Sequence, residues 1–246
     1  MNVKLVSMTG SCVEGQNLSA EELLVYIARV SNPSNQLNTE TSDKLIGFMI
    51  KNKHWSPFDQ IMMGVEITTS KAVGIQILRH WSIKPQEFSQ RYAEVVDIEP
   101  IELRKAGATN RQSSLEVFNP KISFVESFHG NDINCYANDA VQGLVDTSAN
   151  LYQALLAAGV AKECARMILP MASSTTMYLN GSVRSWIHYL EQRTDLHAQL
   201  EHREVAYKVL ELFNIYFPMT SKALNNANPE KWDNLYGIEN DRQNNE

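Results

Sequence analysis

Segments rich in β-forming residues are short in this sequence and lie between longer segments with helical periodicity. Residues 60–69 alternate loosely and contain many β-formers, and residues 174–182 show a similar strand that ends in a turn. Most of the remaining chain follows the helical period of 3.6 residues. The sequence therefore predicts an α+β fold in which a central sheet is flanked by helices.

Capping residues and prolines set the ends of the predicted helices. The first helix begins at the capping box of Ser19 and Glu22 and stops before Pro33. Further helices are predicted at about 42–52, 71–81, 132–158, 161–169, 182–193 and 195–217. Pro85 is expected to end the helix at 71–81, and Asp195 is expected to cap the last helix, which Pro218 stops.

Two regions lack a clear pattern. Residues 97–132 mix charged and polar side chains with weak periodicity, which fits either strands or a segment that runs over the protein surface. The segment 225–246 is rich in Asn, Asp and Glu, so its end is predicted to be mobile. We therefore predict one compact domain over residues 1–224 and a polar C-terminal tail over 225–246, because 246 residues with 43% hydrophobic content can bury one large core.

Net charge and apolar runs exclude several classes of partner. The formal net charge of −6 disfavours non-specific binding to nucleic acid or anionic membranes, so any anion site must be local. No apolar run approaches the roughly 20 residues of a membrane span, and the N-terminus lacks a signal-peptide pattern. A cytoplasmic protein is expected. Cys12, Cys135 and Cys164 lack paired spacing, so we expect buried thiols and no disulfide framework.

Several common catalytic and binding motifs are absent from the sequence. It contains neither GxGxxG nor GxxxxGK[ST], so a Rossmann dinucleotide site and a P-loop are not indicated. His197 and His202 are five residues apart and miss the spacing of a helical zinc pair, so no metal site is predicted. No GxSxG elbow is present, and no cysteine has the neighbours of a nucleophile.

The segment RHWSIKPQEFSQRY, residues 79–92, concentrates hydrogen-bonding groups in fourteen positions. Arg79 and Arg91 flank a turn that holds Gln86, Glu87 and Ser89. A guanidinium donates two parallel hydrogen bonds to phosphate, and the other side chains can serve a base or a ribose hydroxyl. A solvated helix end with an ordinary salt bridge explains the same composition, so composition alone does not decide.

The same segment resembles the signature of the flavin-dependent thymidylate synthases, in which Arg-His-Arg is followed after seven residues by Ser and then by Arg-Tyr. Here Ser89-Gln90-Arg91-Tyr92 completes the pattern. Three further stretches resemble this family in the same order: ARVS at 28–31, HWSPFD at 54–59, and RMILP at 166–170 leading to YLNGSVRSWIHYLEQRTDLHAQ at 178–199. Together they cover most of the chain except about 97–132 and the tail.

This resemblance implies a homotetramer that binds FAD between subunits without a Rossmann fold. It implies that the enzyme methylates dUMP to dTMP with methylenetetrahydrofolate and NADPH, while reduced flavin supplies the hydride. The FAD residues that it implies are Ser31, Ser56, Arg79, His80, Trp81, Glu87, Asn180 and His188. The dUMP residues that it implies are Gln76, Arg79, Glu87, Ser89, Gln90, Arg91, Arg166 and Arg193. His54 is similar to the family histidine near the flavin and folate side of the pocket.

The expected catalytic residues are Arg193, Ser89 and His54. Methylation at C5 of uracil requires electron density there, which an enzyme without a suitable cysteine can obtain by favouring the N3-deprotonated base. Arg193 is the candidate for this task, since a cation within about 4–6 Å lowers a neighbouring pKa by about 1–3 units. Ser89 is expected to orient the base, because attack by its hydroxyl would require a general base.

Three features depart from the family pattern. Trp81 replaces the third residue of Arg-His-Arg, and its aromatic plane can stack but cannot neutralise a phosphate. His188 stands where the family has an asparagine, and it adds a group that titrates near neutral pH. The spacing between Asn180 and Arg193 is about two residues longer than the pattern implies.

Other interpretations stay open from the sequence alone. Gln76 fits a solvent-facing position, His80 fits a core histidine, and Ser56 fits a turn cap before Pro57. A non-catalytic flavin or nucleotide-binding relative, with turnover lost through the Trp81 change, is the second candidate function. A helical interaction protein with solvated arginines is the third.

Overall fold

The computed structural model describes residues 1–95, 97–107, 114–125 and 129–232. It confirms the predicted mixture of helices and sheet. The chain divides into two compact units. The first unit contains Met1, residues 68–76 and the described residues of 87–176, and the second unit contains residues 2–67, residues 77–86 and the described residues from 177 onward.

Strands and helices are numbered in chain order. The strands are β1 (Asn2–Met8), β2 (Met62–Ser70), β3 (Lys84–Glu87), β4 (Arg104–Ala106), β5 (Ser114–Val117), β6 (Lys121–Val125), β7 (Asp132–Tyr136) and β8 (Ser174–Ser182). The helices are α1 (Ala20–Ala28), α2 (Ser42–Lys51), α3 (Lys71–Ile77), α4 (Ala137–Ala157), α5 (Lys162–Ala165), α6 (Val183–Arg193), α7 (Leu200–Tyr216), α8 (Pro218–Ala227) and α9 (Pro229–Trp232). The strands predicted at 60–69 and 174–182 are therefore confirmed as β2 and β8.

The main sheet has the strand order β1-β2-β8-β3. The two strands that the sequence predicts are the two central ones, because central strands carry the most buried apolar side chains. Gly64 in β2 lies close to β1, and a Cβ there would collide with the Ser7 hydroxyl unless that side chain rotated. Trp186 at the start of α6 is fully buried, and its indole N–H donates to the Met63 carbonyl at 2.9 Å.

Strand β3 corrects the expectation that Pro85 ends a helix and begins a turn. Helix α3 already ends at Ile77, and residues 84–87 pair at the edge of the sheet. Proline cannot donate to a ladder, so an edge strand is one of the few sheet positions that tolerate it. The sequence suggested a turn because β3 is only four residues long and its partner β8 is distant in the chain.

In the first unit, the long helix begins later than predicted. Residues 132–136 form β7, which pairs antiparallel with β6, and helix α4 starts only at Ala137. The predicted break at Gly159 is confirmed by its φ of +87°, a conformation that favours glycine. Of the two possibilities for residues 97–132, strands are found, in the hairpins β4–β5 and β6–β7. The helix predicted at 161–169 is α5 followed by a 3₁₀ turn over Arg166–Ile168.

Helix α7 begins at Leu200 and is not capped by Asp195. The Asp195 carboxylate accepts from the His197 backbone N–H at 2.8 Å, which closes a local turn before the helix. The predicted stop before Pro218 is confirmed, because α7 ends at Tyr216. Pro218 then opens α8, in agreement with the preference of proline for the first helical position.

Glu21 of α1 caps the start of α8 in the second unit. Its carboxylate accepts from the backbone N–H of Met219 at 3.0 Å and of Thr220 at 2.6 Å, and from the Thr220 hydroxyl at 2.7 Å. Burial raises the pKa of Glu21, while these hydrogen bonds oppose the rise.

The segment predicted as a polar tail begins inside a helix. Residues 225–227 complete α8, and residues 229–232 form α9. The end of the tail, which was predicted to be mobile, lies outside the described residues from 233 onward.

The cysteines correct another expectation, because Cys12 and Cys164 are exposed and Cys135 is only partly buried. They are free thiols, but they are not core residues. No helix within the described ranges is long and apolar enough to cross a membrane.

Candidate functional site

Arg193 and His80 meet in the second unit although 113 positions separate them. His80 lies in the turn after α3, where its backbone N–H donates to the Ile77 carbonyl, and Arg193 is the last residue of α6. The Arg193 Nε–H donates to His80 Nε2 at 2.7 Å. A guanidinium nitrogen can only donate, so His80 Nε2 is the acceptor and the imidazole hydrogen lies on Nδ1.

The surroundings keep His80 neutral. Its pKa is lowered from 6.5 to about 4, first by burial and then by the nearby Arg193, His188 and Arg79. Burial also lowers the pKa of Arg193, with Arg79 adding to this effect and Tyr189 opposing it. Arg193 nevertheless remains charged at neutral pH.

Tyr189 and His202 lie behind His80. The Tyr189 ring contacts the His80 ring edge to face at a centroid distance of 4.9 Å, and the Tyr189 hydroxyl is 3.2 Å from His202 Nε2. Both side chains are fully buried. Burial raises the pKa of Tyr189 and lowers the pKa of His202 from 6.5 to about 3, with Arg193 and His80 lowering the latter as well. We call His80, Tyr189, Arg193 and His202 the histidine cluster.

The charge of Arg193 is not paired with a carboxylate in the described parts of the chain. Its hydrogen bond to His80 uses Nε, and no hydrogen bond from its terminal nitrogens to a described residue is found. Arg79 is exposed, and its charge acts on both His80 and Arg193. The histidine cluster therefore presents a held guanidinium with donors left for a ligand.

A cavity of about 480 Å³ in the second unit includes His188 in its wall. Its lining residues are Trp55, Asp59, Ser82, Arg184, Ser185, Ile187, His188 and Glu191. Arg184 is fixed by Asp59 at 2.9 Å, and Asp59 also accepts from the Ser182 hydroxyl at 2.9 Å. His188 Nε2 is 3.0 Å from Gln192 Nε2. The cavity thus offers an indole, an imidazole and an oriented guanidinium.

Asn180 lines a different cavity, of about 200 Å³, together with Tyr178 and Gln86. Trp81 is 83% exposed, and Lys84 lies over its ring with Nζ 5.8 Å from the centroid. Ser31 and Ser56 are also exposed, the first in the turn after α1 and the second at the start of the 3₁₀ turn Ser56–Asp59. The structure therefore does not place Asn180 and His188 in one cavity.

His54 lies just after α2 and is exposed. Its ring contacts the Phe48 ring edge to face, with a centroid distance of 5.7 Å. Its backbone N–H donates to the Met49 carbonyl at 2.8 Å. The residue before it, Lys53, has a positive φ of 59°, so the chain turns sharply to present the imidazole.

In the first unit, Glu163 contacts two of the arginines that the resemblance implies for dUMP. Arg91 donates to its carboxylate from Nε at 3.2 Å and approaches it with Nη2 at 3.1 Å. Arg166 donates from Nε to the Glu163 carbonyl at 3.4 Å. Ser89 accepts from the Arg91 backbone N–H at 3.4 Å. We call Ser89, Arg91, Glu163 and Arg166 the carboxylate cluster.

Glu87 has other partners in the first unit. It accepts from Lys71 Nζ at 2.6 Å and from the Thr175 hydroxyl at 2.9 Å. Among the described residues these are its hydrogen-bond donors, and neither is an arginine. Gln90 and Gln76 are both half-buried, the first beside Arg91 and the second in α3.

The structure thus joins His80 with Arg193, and Arg91 with Arg166 through Glu163. Sequence reasoning missed Tyr189, His202, Glu163 and Arg184. Arg184 had a signal, because it lies four residues before His188 on the same helix and so faces the same side. Tyr189 and His202 gave none, since a tyrosine and a histidine on amphipathic helices are ordinary core residues.

Comparison with known proteins identifies the family of the chain. Residues 14–219 match the family model described as thymidylate synthase complementing protein. A Paramecium bursaria Chlorella virus 1 protein named "Probable flavin-dependent thymidylate synthase" is 43% identical over 91% of this chain and 99% of its own length. The flavin-dependent thymidylate synthase of Synechocystis is 42% identical over the same shares of the two chains. The chain belongs to the flavin-dependent thymidylate synthase family, which confirms the resemblance found in the sequence.

A solved structure has a similar fold. The crystal structure of a UMP/dUMP methylase from Streptomyces cacaoi, bound with 5-Br dUMP, superposes with a TM-score of 0.67. It covers 91% of this chain and 94% of the methylase chain at 22% identity. At this level of identity the match describes the fold alone.

Proposed function

We propose that this enzyme converts dUMP to dTMP, with methylenetetrahydrofolate as one-carbon donor and FAD and NADPH as the reducing system. It does so in the cytoplasm as a homotetramer whose active sites lie between subunits, in the non-Rossmann fold of its family. The observation that carries this proposal is the environment of the Arg193 guanidinium. It is hydrogen-bonded to a neutral histidine and is not paired with a carboxylate among the described residues. Membership of the family, and the names of its relatives, support the same reaction.

Arg193 is the residue that we propose to activate the base. The N3–H of uracil must be lost for electron density to rise at C5, and a nearby cation favours the resulting anion. A pKa lowered by about 1–3 units corresponds to roughly 1.4–4 kcal/mol. Because His80 is neutral, it holds the guanidinium without cancelling its charge.

The carboxylate cluster is the proposed phosphate site. Arg91 and Glu163 are both more than half exposed, so their ion pair contributes little free energy and can be exchanged. A phosphate of dUMP can replace the Glu163 carboxylate, because both accept the parallel hydrogen bonds of a guanidinium. Arg166 and Gln90 then supply further donors, and Ser89 orients the base. Gln76, Arg79 and Glu87 complete the proposed dUMP residues.

The wall of the 480 Å³ cavity in the second unit has side chains whose chemistry suits a flavin. Trp55 offers an aromatic plane, and His188 and Arg184 offer hydrogen bonds and a positive charge around one cavity. With them we propose Ser31, Ser56, Arg79, His80, Trp81, Glu87 and Asn180 as FAD residues. When bound, FAD supplies the hydride that reduces the transferred one-carbon unit. His54, with its ring against Phe48, is proposed for the folate side.

A cysteine nucleophile is not part of this proposal. Cys164 is exposed and follows Glu163 directly, so it is the thiol that a covalent mechanism would use. We expect Cys164→Ser to keep dTMP formation within about twofold of the unchanged enzyme. Loss of activity in a folded Cys164→Ser variant would overturn the non-covalent mechanism.

The deciding experiment is anaerobic. The purified protein is examined for flavin absorbance, reduced with NADPH, and assayed for dTMP after addition of dUMP and methylenetetrahydrofolate. Flavin absorbance with flavin- and folate-dependent dTMP formation supports the synthase. Bound flavin that is reduced without dTMP formation indicates the non-catalytic relative, and no flavin after reconstitution overturns the proposed cofactor.

A further inference from the structure

Tyr189 connects two histidines that lie on different elements of the second unit. One side of its ring contacts His80, and its hydroxyl reaches His202 of α7. The His80 and His202 rings are themselves 6.4 Å apart between centroids. Neither Tyr189 nor His202 is among the residues proposed above to bind dUMP, FAD or folate.

This arrangement is more polar than a core position requires. Tyr189 and His202 are both fully buried, so a phenylalanine and a leucine would satisfy packing alone. A buried hydroxyl that is hydrogen-bonded fixes the rotation of its ring. The ring that is fixed here is the one that packs against His80.

We propose that Tyr189 and His202 are positioning residues, which hold His80 so that its Nε2 accepts from Arg193 and fixes the guanidinium. Only the expected effect on catalysis rests on the proposed function, and the positioning of His80 does not. The tautomer of His80 and the orientation of its ring are properties of the folded protein, and they can be observed without turnover.

The effect on catalysis follows from the task of Arg193. A guanidinium that is free to rotate still attracts dUMP but stabilises the base anion less well. We therefore expect kcat to fall and KM for dUMP to change little, because the phosphate contacts remain. Tyr189→Phe, which removes only the hydroxyl, and His202→Leu should each lower kcat about five- to tenfold.

The two positions share a hydrogen bond, so a double-mutant cycle tests the proposal. The variant with both Tyr189→Phe and His202→Leu should lose no more activity than either single variant. His202→Gln should restore kcat to within about twofold, because the glutamine amide can reach the tyrosine hydroxyl. Phe213→Leu serves as the matched control, since Phe213 is also fully buried in α7 but contacts Phe217 instead.

Nitrogen-15 NMR of histidine-labelled protein at neutral pH gives the second readout. His80 should show a protonated Nδ1 and an unprotonated Nε2, and Tyr189→Phe and His202→Leu should both perturb these signals while Phe213→Leu does not. A hydrogen on His80 Nε2, or unchanged signals and unchanged kcat in both variants, would overturn the positioning role. If the unaltered enzyme makes no dTMP, the proposed function fails, and the NMR result alone decides whether His80 is positioned in this way.

Discussion

Arg193 in the histidine cluster is held by a neutral imidazole, whereas Arg91 in the carboxylate cluster is held by a carboxylate. Burial and positive neighbours keep His80 uncharged, so the charge of Arg193 stays available to a ligand. The charge of Arg91 is already balanced and must be released from Glu163. This difference suits the two proposed roles, in which Arg193 acts on the protonation of the base and Arg91 exchanges the Glu163 carboxylate for a phosphate.

The largest effect is expected for Arg193→Ala. Losing the only guanidinium assigned to the base should lower kcat/KM by about a thousandfold, roughly 4 kcal/mol of transition-state stabilisation. Steady-state dTMP assays measure this effect, and chemical denaturation should show a much smaller change in stability. Near-normal activity in a folded Arg193→Ala variant would contradict the role assigned to this residue.

The second prediction concerns the pH dependence of stability. His80 titrates near pH 6.5 in the unfolded chain but only near pH 4 in the fold, so acid protonates the unfolded state first. The free energy of unfolding should fall by about 3 kcal/mol from His80 alone as the pH drops from 6.5 to 4. Well above pH 6.5, where the histidine is unprotonated in both states, this group should contribute no slope. The charged and titratable groups near it are Arg193, His188, Arg79, Tyr189 and His202, of which the first three lower its pKa.

His202 reinforces this dependence, because its pKa is lowered to about 3 in the fold. Urea denaturation at several pH values measures the slope, and His202→Gln should make it shallower. An equal slope in His202→Gln would show that this histidine is not buried in its neutral form.

Arg91→Ala should act on binding. Removing a charge-assisted contact to phosphate typically costs about 1.5–3 kcal/mol, which corresponds to a rise in KM for dUMP of roughly 10- to 150-fold. We expect kcat at saturating dUMP to change less than threefold. Deoxyuridine, which lacks the phosphate, is the matched control substrate, and its turnover should not respond to Arg91→Ala.

The smallest effect is expected for Glu163→Gln. The exposed ion pair contributes at most about 1 kcal/mol, so releasing Arg91 should lower KM for dUMP no more than about fivefold. Raised salt should reduce the difference between the two proteins. A higher KM in Glu163→Gln would mean that Glu163 orients Arg91 for phosphate, and not that it competes with phosphate.

The parts of the fold that the sequence predicted are those with local causes. The capping box of Ser19 and Glu22 joins residues three apart, and the observed helix begins there with both of its hydrogen bonds formed. Strand β3 was missed because its pairing with β8 is long-range and its own four residues carry no apolar pattern. Asp195 was misread for a related reason, since a side chain that caps a helix can equally close a turn.

The candidate site shows the same limit. The arginines could be named because the family pattern marks them in the sequence, but their partners could not. Glu163 and His202 are assigned by the fold, since a counter-ion or a buried hydrogen bond depends on which elements pack together. Arg184 was overlooked although it lies four residues before His188 on α6, and the structure places both in the same cavity wall.

The hydrogen bonds by which Glu21 caps α8 form late during synthesis of the chain. Glu21 and Thr220 are 199 positions apart, so this contact cannot form until nearly the whole chain has been made. Most of the first unit, residues 87–176, leaves the ribosome earlier and as one continuous piece. A stalled nascent chain ending at Tyr216 should therefore resist protease in that piece but be cleaved near α1. Met219 and Thr220, which are made after the first unit, thus complete the hydrogen bonds of Glu21 in the first helix.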